Sequence, residues 1–374
     1  MTPKDYVTNK NFCPVPWTGI YLGPDGEVNS CCLQDANTAL GNINDVTAMD
    51  AVASAKNIAI KSKMLEGKEV TECKQCYIQP NSLRVHYIKQ LRNVPLSTYD
   101  SDENFVLSTL DVRFRNTCNL ACVYCVPELS SKIASELGIQ NKIYNQDNLT
   151  QSVAYINQNL KTLKNVYLAG GEPLLIKENL TLLKQLYADN PNVTLRVNTN
   201  LTTINNEIFN EIIKFKNLEW IVSIESIGEK FEYIRYHADW KNFVKNLMLI
   251  KSMGHNITFN MVWFSLSTFE IFNAIDFLMD AGFLSSSFTI NCSDTPSWID
   301  VRHLDKSLVA RVVGILTSRK LNLPITDLLY KNYDSMSNFI QQPFDKNINL
   351  LYNELSAIDS RRNLNSRKTF PELF

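Results

Sequence analysis

The sequence predicts an α/β fold built on a parallel sheet. Three observations lead there. From about residue 105, strand-like and helix-like runs alternate six times, and parallel strands need crossover helices. The chemistry-bearing residues recur at the C-terminal ends of those strands, where barrel-type sheets place their chemistry. A cysteine-rich α+β segment precedes the alternation, and a stretch of helical character follows it.

The elements follow in order. Residues 110–114 carry β-branched and aromatic content and read as the first strand, which the run Cys118 to Cys125 follows. Residues 151–163 have helical period, and 165–168 form a short apolar strand ended by Ala169-Gly170-Gly171-Glu172-Pro173. A helix over 179–188 and a strand over 193–197 come next, closed by Asn198-Thr199-Asn200. The pattern continues with a helix over 206–215, a strand over 220–224 ending in Glu225-Ser226, and a helix over 240–253. A strand over 257–264, a helix over 269–281 and a sixth strand over 287–291, ending at Cys292, complete it. Beyond residue 300 the spacing predicts helices over 304–321 and 348–358, with a short tail that covers the barrel or orders a lid. Upstream, Pro24-Asp25-Gly26 is a turn signal between two strand-like runs, and a helix is expected over 48–65. The expected domains are therefore 1–100, 101–300 and 301–374.

Composition narrows the function classes. The chain is 45% hydrophobic and 20% charged, with a formal net charge of −1. That balance gives no electrostatic reason to expect a nucleic-acid or acidic-membrane partner. No charged leader with an apolar core and no bilayer-length apolar run is present, so the chain is read as cytoplasmic. It has no phosphate-binding glycine loop, no dinucleotide fingerprint and no serine-nucleophile elbow. The four histidines are spread out, and only His237 stands near a candidate motif.

Nine cysteines are many for a reducing compartment, and they are clustered. Cys118, Cys122 and Cys125 stand at C-x3-C-x2-C spacing. Thiolates are soft ligands for zinc or iron–sulfur iron. Three of them leave one position open, as catalytic metal sites do. A 4Fe–4S cluster normally takes four cysteines, so one held here has a free iron. Cys13, Cys31 or Cys32, Cys73 and Cys76 supply four thiolates, enough for a closed site. Cys292 stands alone, either a hydrogen-atom donor at the barrel mouth or a small buried apolar residue.

The three-cysteine run, with Tyr124 inside it and Gly170-Gly171-Glu172-Pro173 on the next strand, resembles the signature of the radical S-adenosylmethionine (SAM) enzymes. The resemblance implies a partial (β/α)6 barrel of the TIM type. It implies that the free iron chelates SAM and that one electron cleaves it to a 5′-deoxyadenosyl radical, which abstracts a substrate hydrogen. Tyr124 then faces the adenine, and Gly170, Gly171 and Glu172 receive the methionine ammonium. Asn198 and Ser223 lie where relatives place polar groups for the ribose and carboxylate. Glu225 replaces a frequent aspartate, and Arg235 matches a recurrent arginine suited to a carboxylate. The C-x12-G-x4-C run from Cys13 through Gly26 to Cys31 is similar to the opening of the SPASM and twitch modules, which add an auxiliary 4Fe–4S cluster. The later cysteines of a full SPASM module are missing, which favours the shorter twitch form, here ahead of the barrel. By that pattern Cys31 is the ligand and Cys32 a substitute or neighbour. Four protein thiolates favour electron transfer over substrate ligation.

The expected function is that of a radical SAM oxidoreductase or isomerase-type enzyme acting on a peptide, a sugar or another metabolite. A flavodoxin- or ferredoxin-like protein is the expected electron donor. The alternative is a non-catalytic zinc or iron–sulfur scaffold protein. Within enzymes, the second choice is SAM-dependent methyl transfer.

Overall fold

The structure, a computed structural model, describes residues 3–78, 83–140 and 145–374. The chain divides into two compact units. The first comprises Met1–Thr117, Gln140–Val197 and Asn205–Leu218; the second comprises Cys118–Ile139, Asn198–Ile204 and Glu219–Phe374.

The first unit is organised by strands β1 (Gly19–Leu22), β2 (Glu27–Asn29), β3 (Gly41–Asn42), β4 (Thr109–Val112), β5 (Asn165–Leu168) and β6 (Thr194–Thr199). β1 and β2 form the expected hairpin, turned at Gly26 with φ +81°, where a Cβ would be strained. β3 pairs antiparallel to β2, and β1 pairs parallel to β4. β4, β5 and β6 then follow in parallel register. Side chains alternate across strands. Leu110, Val112, Val166, Leu168, Leu195 and Val197 are fully buried on one face. Asp111, Tyr167 and Arg196 occupy the other, in one row of the register.

An aromatic knot fixes the start of this unit. Trp17 is 0% exposed, its ring lies 5.4 Å from Phe12 and 6.0 Å from Tyr99, and its Nε1 donates to the Ser101 carbonyl at 2.7 Å. The helix expected over 48–65 is two helices, Ala48–Val52 and Ala55–Leu65. Ser54 interrupts them because its hydroxyl caps the second helix, accepting from the Asn57 amide.

In the second unit, β7 (Leu218–Ser223), β8 (Asn256–Trp263) and β9 (Phe288–Cys292) are parallel. Phe259, Met261, Trp263 and Phe288 are completely buried. Helices Lys306–Leu321 and Ile348–Arg362 lie where the spacing placed them. The helix Leu328–Ile340 was not anticipated, although Asp327 caps it and Leu329, Tyr333, Met336 and Ile340 keep helical spacing. It packs on the sheet, and Asn332 Nδ2 donates to the Phe288 carbonyl at 2.9 Å. Strands β4 to β6 of the first unit and β7 to β9 of the second are parallel within their units and alternate with helices, as the α/β class requires. The C-terminal tail is tied down rather than loose. Phe370 is 0% exposed against Tyr233, and Lys230 bridges Glu270 and Glu372.

Trp17→Ala is expected to cost about 3–5 kcal/mol, as removal of a large buried ring does. Urea unfolding followed by circular dichroism measures it.

Candidate functional site

The three-cysteine loop belongs to the second unit, and backbone hydrogen bonds hold it in shape. Ala121 N donates to the Tyr236 carbonyl at 3.0 Å and Val123 N to the Ile234 carbonyl at 2.9 Å. Ser130 Oγ donates to the Leu120 carbonyl at 2.9 Å, and Cys118 N donates to Ser131 Oγ at 3.0 Å. Cys118 Sγ accepts from Leu120 N at 3.5 Å, and Asn200 Nδ2 lies 4.0 Å from it. Asn200 also donates to Asn119 Oδ1 at 3.0 Å, and Asn119 donates to Thr202 Oγ1 at 2.8 Å. Sequence reasoning gave no role to Ser130, Ser131, Asn119, Asn200 or the helix Gly228–Ile234. Side chains that serve backbone groups leave no periodic signal.

Burial pushes the Cys122 thiol far up, with Cys125 and Cys118 adding to it and Arg235 opposing. Cys125 is pushed up to about 12, by burial first and then by Cys118. Three thiols in one shielded place resist ionising together unless a strong cationic centre joins them. A 4Fe–4S cluster is such a centre, and the donor set fits one.

Beside the loop lies a buried charge pair. Arg235 Nη2 sits 2.5 Å from Glu225 Oε2, and Tyr124 OH donates to the same oxygen at 3.4 Å. The Tyr124 ring is 5.3 Å from Phe264, and the guanidinium carbon of Arg235 is 5.7 Å from the centre of the Tyr124 ring. Glu225 is 0% and Arg235 2% exposed. Glu225 Oε1, Arg235 Nε, Ser226 Oγ and Ser265 Oγ are buried without a partner among the described residues. Ser223 Oγ donates to Asn198 Oδ1 at 3.4 Å. Cys292 ends β9 opposite Trp263, and burial pushes it up to about 12. His237 takes φ +78° beside Tyr236, and burial lowers its basicity.

The Gly-Gly turn belongs to the first unit. Gly170 has φ +115°, a region that favours glycine. A Cβ on Gly171 would stand 2.2 Å from the Thr117 carbonyl oxygen and 2.5 Å from that of Asn116. Glu172 N donates to the Thr117 carbonyl at 2.7 Å. Its carboxylate is completely buried and caps the following turn, accepting from Leu174 N at 3.2 Å.

The first unit also contains a partly open, largely apolar pocket. Cys13, Cys31, Cys73 and Cys76 line it, with Val15, Ile60 and Met64 among the apolar walls. Burial pushes Cys31 and Cys73 each up to about 12, with neighbouring thiols adding to the shift. Cys13 is pushed up for the same reasons. Cys32 is not among the lining residues; burial, and after it the nearby Asp111 carboxylate, push its thiol up. The donor set around the cavity fits a closed cluster with apolar shielding.

Two family models match the chain. One, the radical SAM superfamily, covers residues 112–278; the other, an iron–sulfur cluster-binding domain named SPASM, covers residues 13–77. Together they take in more than half the chain, and each contains the cysteines just described. The chain belongs to the radical SAM superfamily. No protein of curated function matches it in sequence. Among solved structures, Streptococcus suis SuiB bound to S-adenosylmethionine is 15% identical, with TM-score 0.41, over 73% of this chain and 61% of its own. SuiB bound to the precursor peptide SuiA is 15% identical, with TM-score 0.41, over 86% of this chain and 74% of its own. The protein anSMEcpe with bound AdoMet is 15% identical, with TM-score 0.41, over 57% of this chain and 61% of its own.

As a radical SAM protein with a SPASM domain, the chain is of the class that carries 4Fe–4S clusters and uses SAM. Among the described residues, no three or more His, Cys, Asp or Glu side chains gather around a single metal ion. A cubane takes each thiolate on a different iron, so its ligands need not meet at one point. No helix among the described residues is long and apolar enough to cross a membrane.

Gly171→Ala forces its methyl group into two carbonyl oxygens. It is expected to cost about 1–3 kcal/mol or more, the cost of overpacking. Thermal unfolding compared with Gly314→Ala, whose added methyl meets nothing within 4 Å and whose φ is not left-handed, checks the steric part.

Proposed function

We propose that this protein is a radical SAM enzyme whose SAM-binding cluster is held by Cys118, Cys122 and Cys125 and whose auxiliary cluster is held by Cys13, Cys31, Cys73 and Cys76. The observation that carries the reading is the pairing of a three-thiol loop with a separate four-thiol cavity. When bound, the first cluster supplies the electron that cleaves SAM to a 5′-deoxyadenosyl radical, and the second exchanges an electron with the substrate.

The chain's own residues have these roles. The backbone pins at Ile234 and Tyr236 fix the loop before any cofactor arrives. Tyr124 lies against the adenine. Gly170 and Gly171 let the backbone approach the methionine end, while Glu172, engaged as a cap, brings its negative charge toward the ammonium. Asn198 and Ser223 act as a hydrogen-bonded pair toward the ribose and carboxylate. Glu225 holds Arg235, and the partnerless Nε of Arg235 suits the SAM carboxylate. Cys292 stands at a strand end as a hydrogen-atom donor. Cys32, facing Asp111, is outside the auxiliary ligand set.

The reaction is an oxidation, or an isomerisation or crosslink, of a peptide, sugar or other metabolite. A flavodoxin- or ferredoxin-like protein is the one-electron donor, and the protein works in the cytoplasm. The organisation is an N-terminal auxiliary module over 1–100, a barrel over 101–300 and a helical extension over 301–374.

Two measurements test this. Incubated anaerobically with SAM and dithionite, the reconstituted protein is expected to release 5′-deoxyadenosine, and Cys122→Ala to release none; chromatography reads both. Iron analysis is expected to give about eight iron per chain, falling to about four in Cys31→Ala and staying near eight in Cys32→Ala. A wild-type value near four removes the auxiliary cluster. Loss in the Cys32 variant instead moves that ligand by one residue.

A further inference from the structure

The three-cysteine loop has two supports in its unit. One is the end of the helix Gly228–Ile234 and the residues after it, where the Ile234 and Tyr236 carbonyls accept from Val123 N and Ala121 N. The other is the short helix Ser131–Glu136, at whose start Ser130 and Ser131 hold the Leu120 carbonyl and the Cys118 amide. A loop held by a few hydrogen bonds is only as fixed as the groups that hold it. The first support is not relaxed on its own account. His237, next to Tyr236, takes φ +78°, a left-handed backbone that costs a residue with a Cβ energy and persists where the surroundings impose it.

The C-terminal helix Ile348–Arg362 supplies part of those surroundings, and its last residue reaches both supports. Arg362 Nε and Nη2 each lie 3.0 Å from Glu136 Oε2, at the end of the second support. The guanidinium carbon of Arg362 stands 4.8 Å from the centre of the Tyr236 ring, and the Tyr236 hydroxyl donates to the Arg362 carbonyl at 3.4 Å. Arg361 adds a further bond to Glu136 at 3.0 Å. Three residues before Arg362, on the same helix face, Asp359 accepts from the Tyr233 hydroxyl at 2.7 Å and from Ser366 N at 2.8 Å. A helix that only covers apolar surface keeps its charged heads in water. Here Arg362 is 6% exposed, and its charge is committed to a carboxylate beside one support and a ring of the other. A guanidinium fork on a carboxylate fixes direction as well as distance.

We propose that the C-terminal helix is a brace for the SAM-cluster loop, and that Arg362 is a positioning residue that acts through Tyr236 and Glu136 to hold the loop in its cluster-binding shape. The proposal rests on the radical SAM reading and adds to it a part for the end of the chain. It assigns Arg362 no contact with SAM or substrate.

The test compares wild type, Arg362→Gln, Arg362→Lys and Arg319→Gln, all cluster-loaded under anaerobic conditions. Arg319→Gln is the control, because it breaks a bidentate pair with Asp276 elsewhere in the same unit. Hydrogen exchange reads the Ala121 and Val123 amides, and electron paramagnetic resonance of the dithionite-reduced protein follows the response of the loop cluster to added SAM. In Arg362→Gln the two amides are expected to exchange about tenfold faster or more, and the SAM needed for half of the spectral response to rise by a similar factor, as loss of a charge-assisted bond requires. The auxiliary cluster's signal stays unchanged, Arg362→Lys recovers part of both effects, and Arg319→Gln behaves as wild type. Wild-type exchange and SAM response in Arg362→Gln overturn the proposal, as does an equal change in Arg319→Gln. If Arg362→Gln does not fold, Glu136→Gln opens the same pair from its other side and decides by the same criteria. A wild-type protein with no SAM-responsive signal removes the radical SAM reading itself, whereas a normal wild-type response with an unaltered variant removes the brace only.

Discussion

Thiols buried in groups are the constraint on which the rest of this structure depends. Each of the two cysteine sets is pulled out of water by the fold, and within each set every ionised sulfur opposes the next. A thiolate, not a thiol, binds metal. The protein therefore invests hydrogen bonds and apolar walls in places that are comfortable only when a polycationic group joins them. Ligand binding and folding free energy are then parts of one quantity. The two sets meet this constraint differently. The loop set is fixed by carbonyls from another segment of its unit, whereas the N-terminal set is collected around a cavity by a hairpin, a helix and a turn.

Much of this could be read in the sequence, because it rests on local spacing. The six strands of the alternation lie within a few residues of where periodicity placed them, since each has a buried apolar side. The spacing around Cys118 and the Gly-Gly pair were equally visible. What escaped was non-local. Ser130, Ser131 and Asn200 serve the loop through single hydrogen bonds, and no pattern marks such residues. The choice between Cys31 and Cys32 was also beyond spacing. It depends on which way each side chain leaves the turn after β2. Leu328–Ile340 carries an aspartate cap and apolar spacing, but polar residues between its buried positions blur the helical period.

The buried pair of Glu225 and Arg235 illustrates a different economy. Isolated charges at such depth are costly, and a pair is tolerable only with good geometry and extra hydrogen bonds. Here one oxygen of Glu225 gathers both Arg235 and Tyr124, while the other oxygen and the Arg235 Nε have no partner among the described residues. The site is thus organised but not saturated, which is the condition of a binding site before it is filled.

The neighbouring residues Cys31 and Cys32 sit on opposite sides of one short connection. One borders the apolar cavity and the other reaches the carboxylate of Asp111. That arrangement depends on β2 pairing with β1 so that Asn29 faces Tyr21. A strand slip of one residue exchanges the two faces of everything it carries. Hairpin alignment therefore acts as a selector between two chemically identical side chains. The fidelity of a three-residue strand decides which sulfur can meet iron, a form of proofreading built into assembly rather than into the ligands themselves.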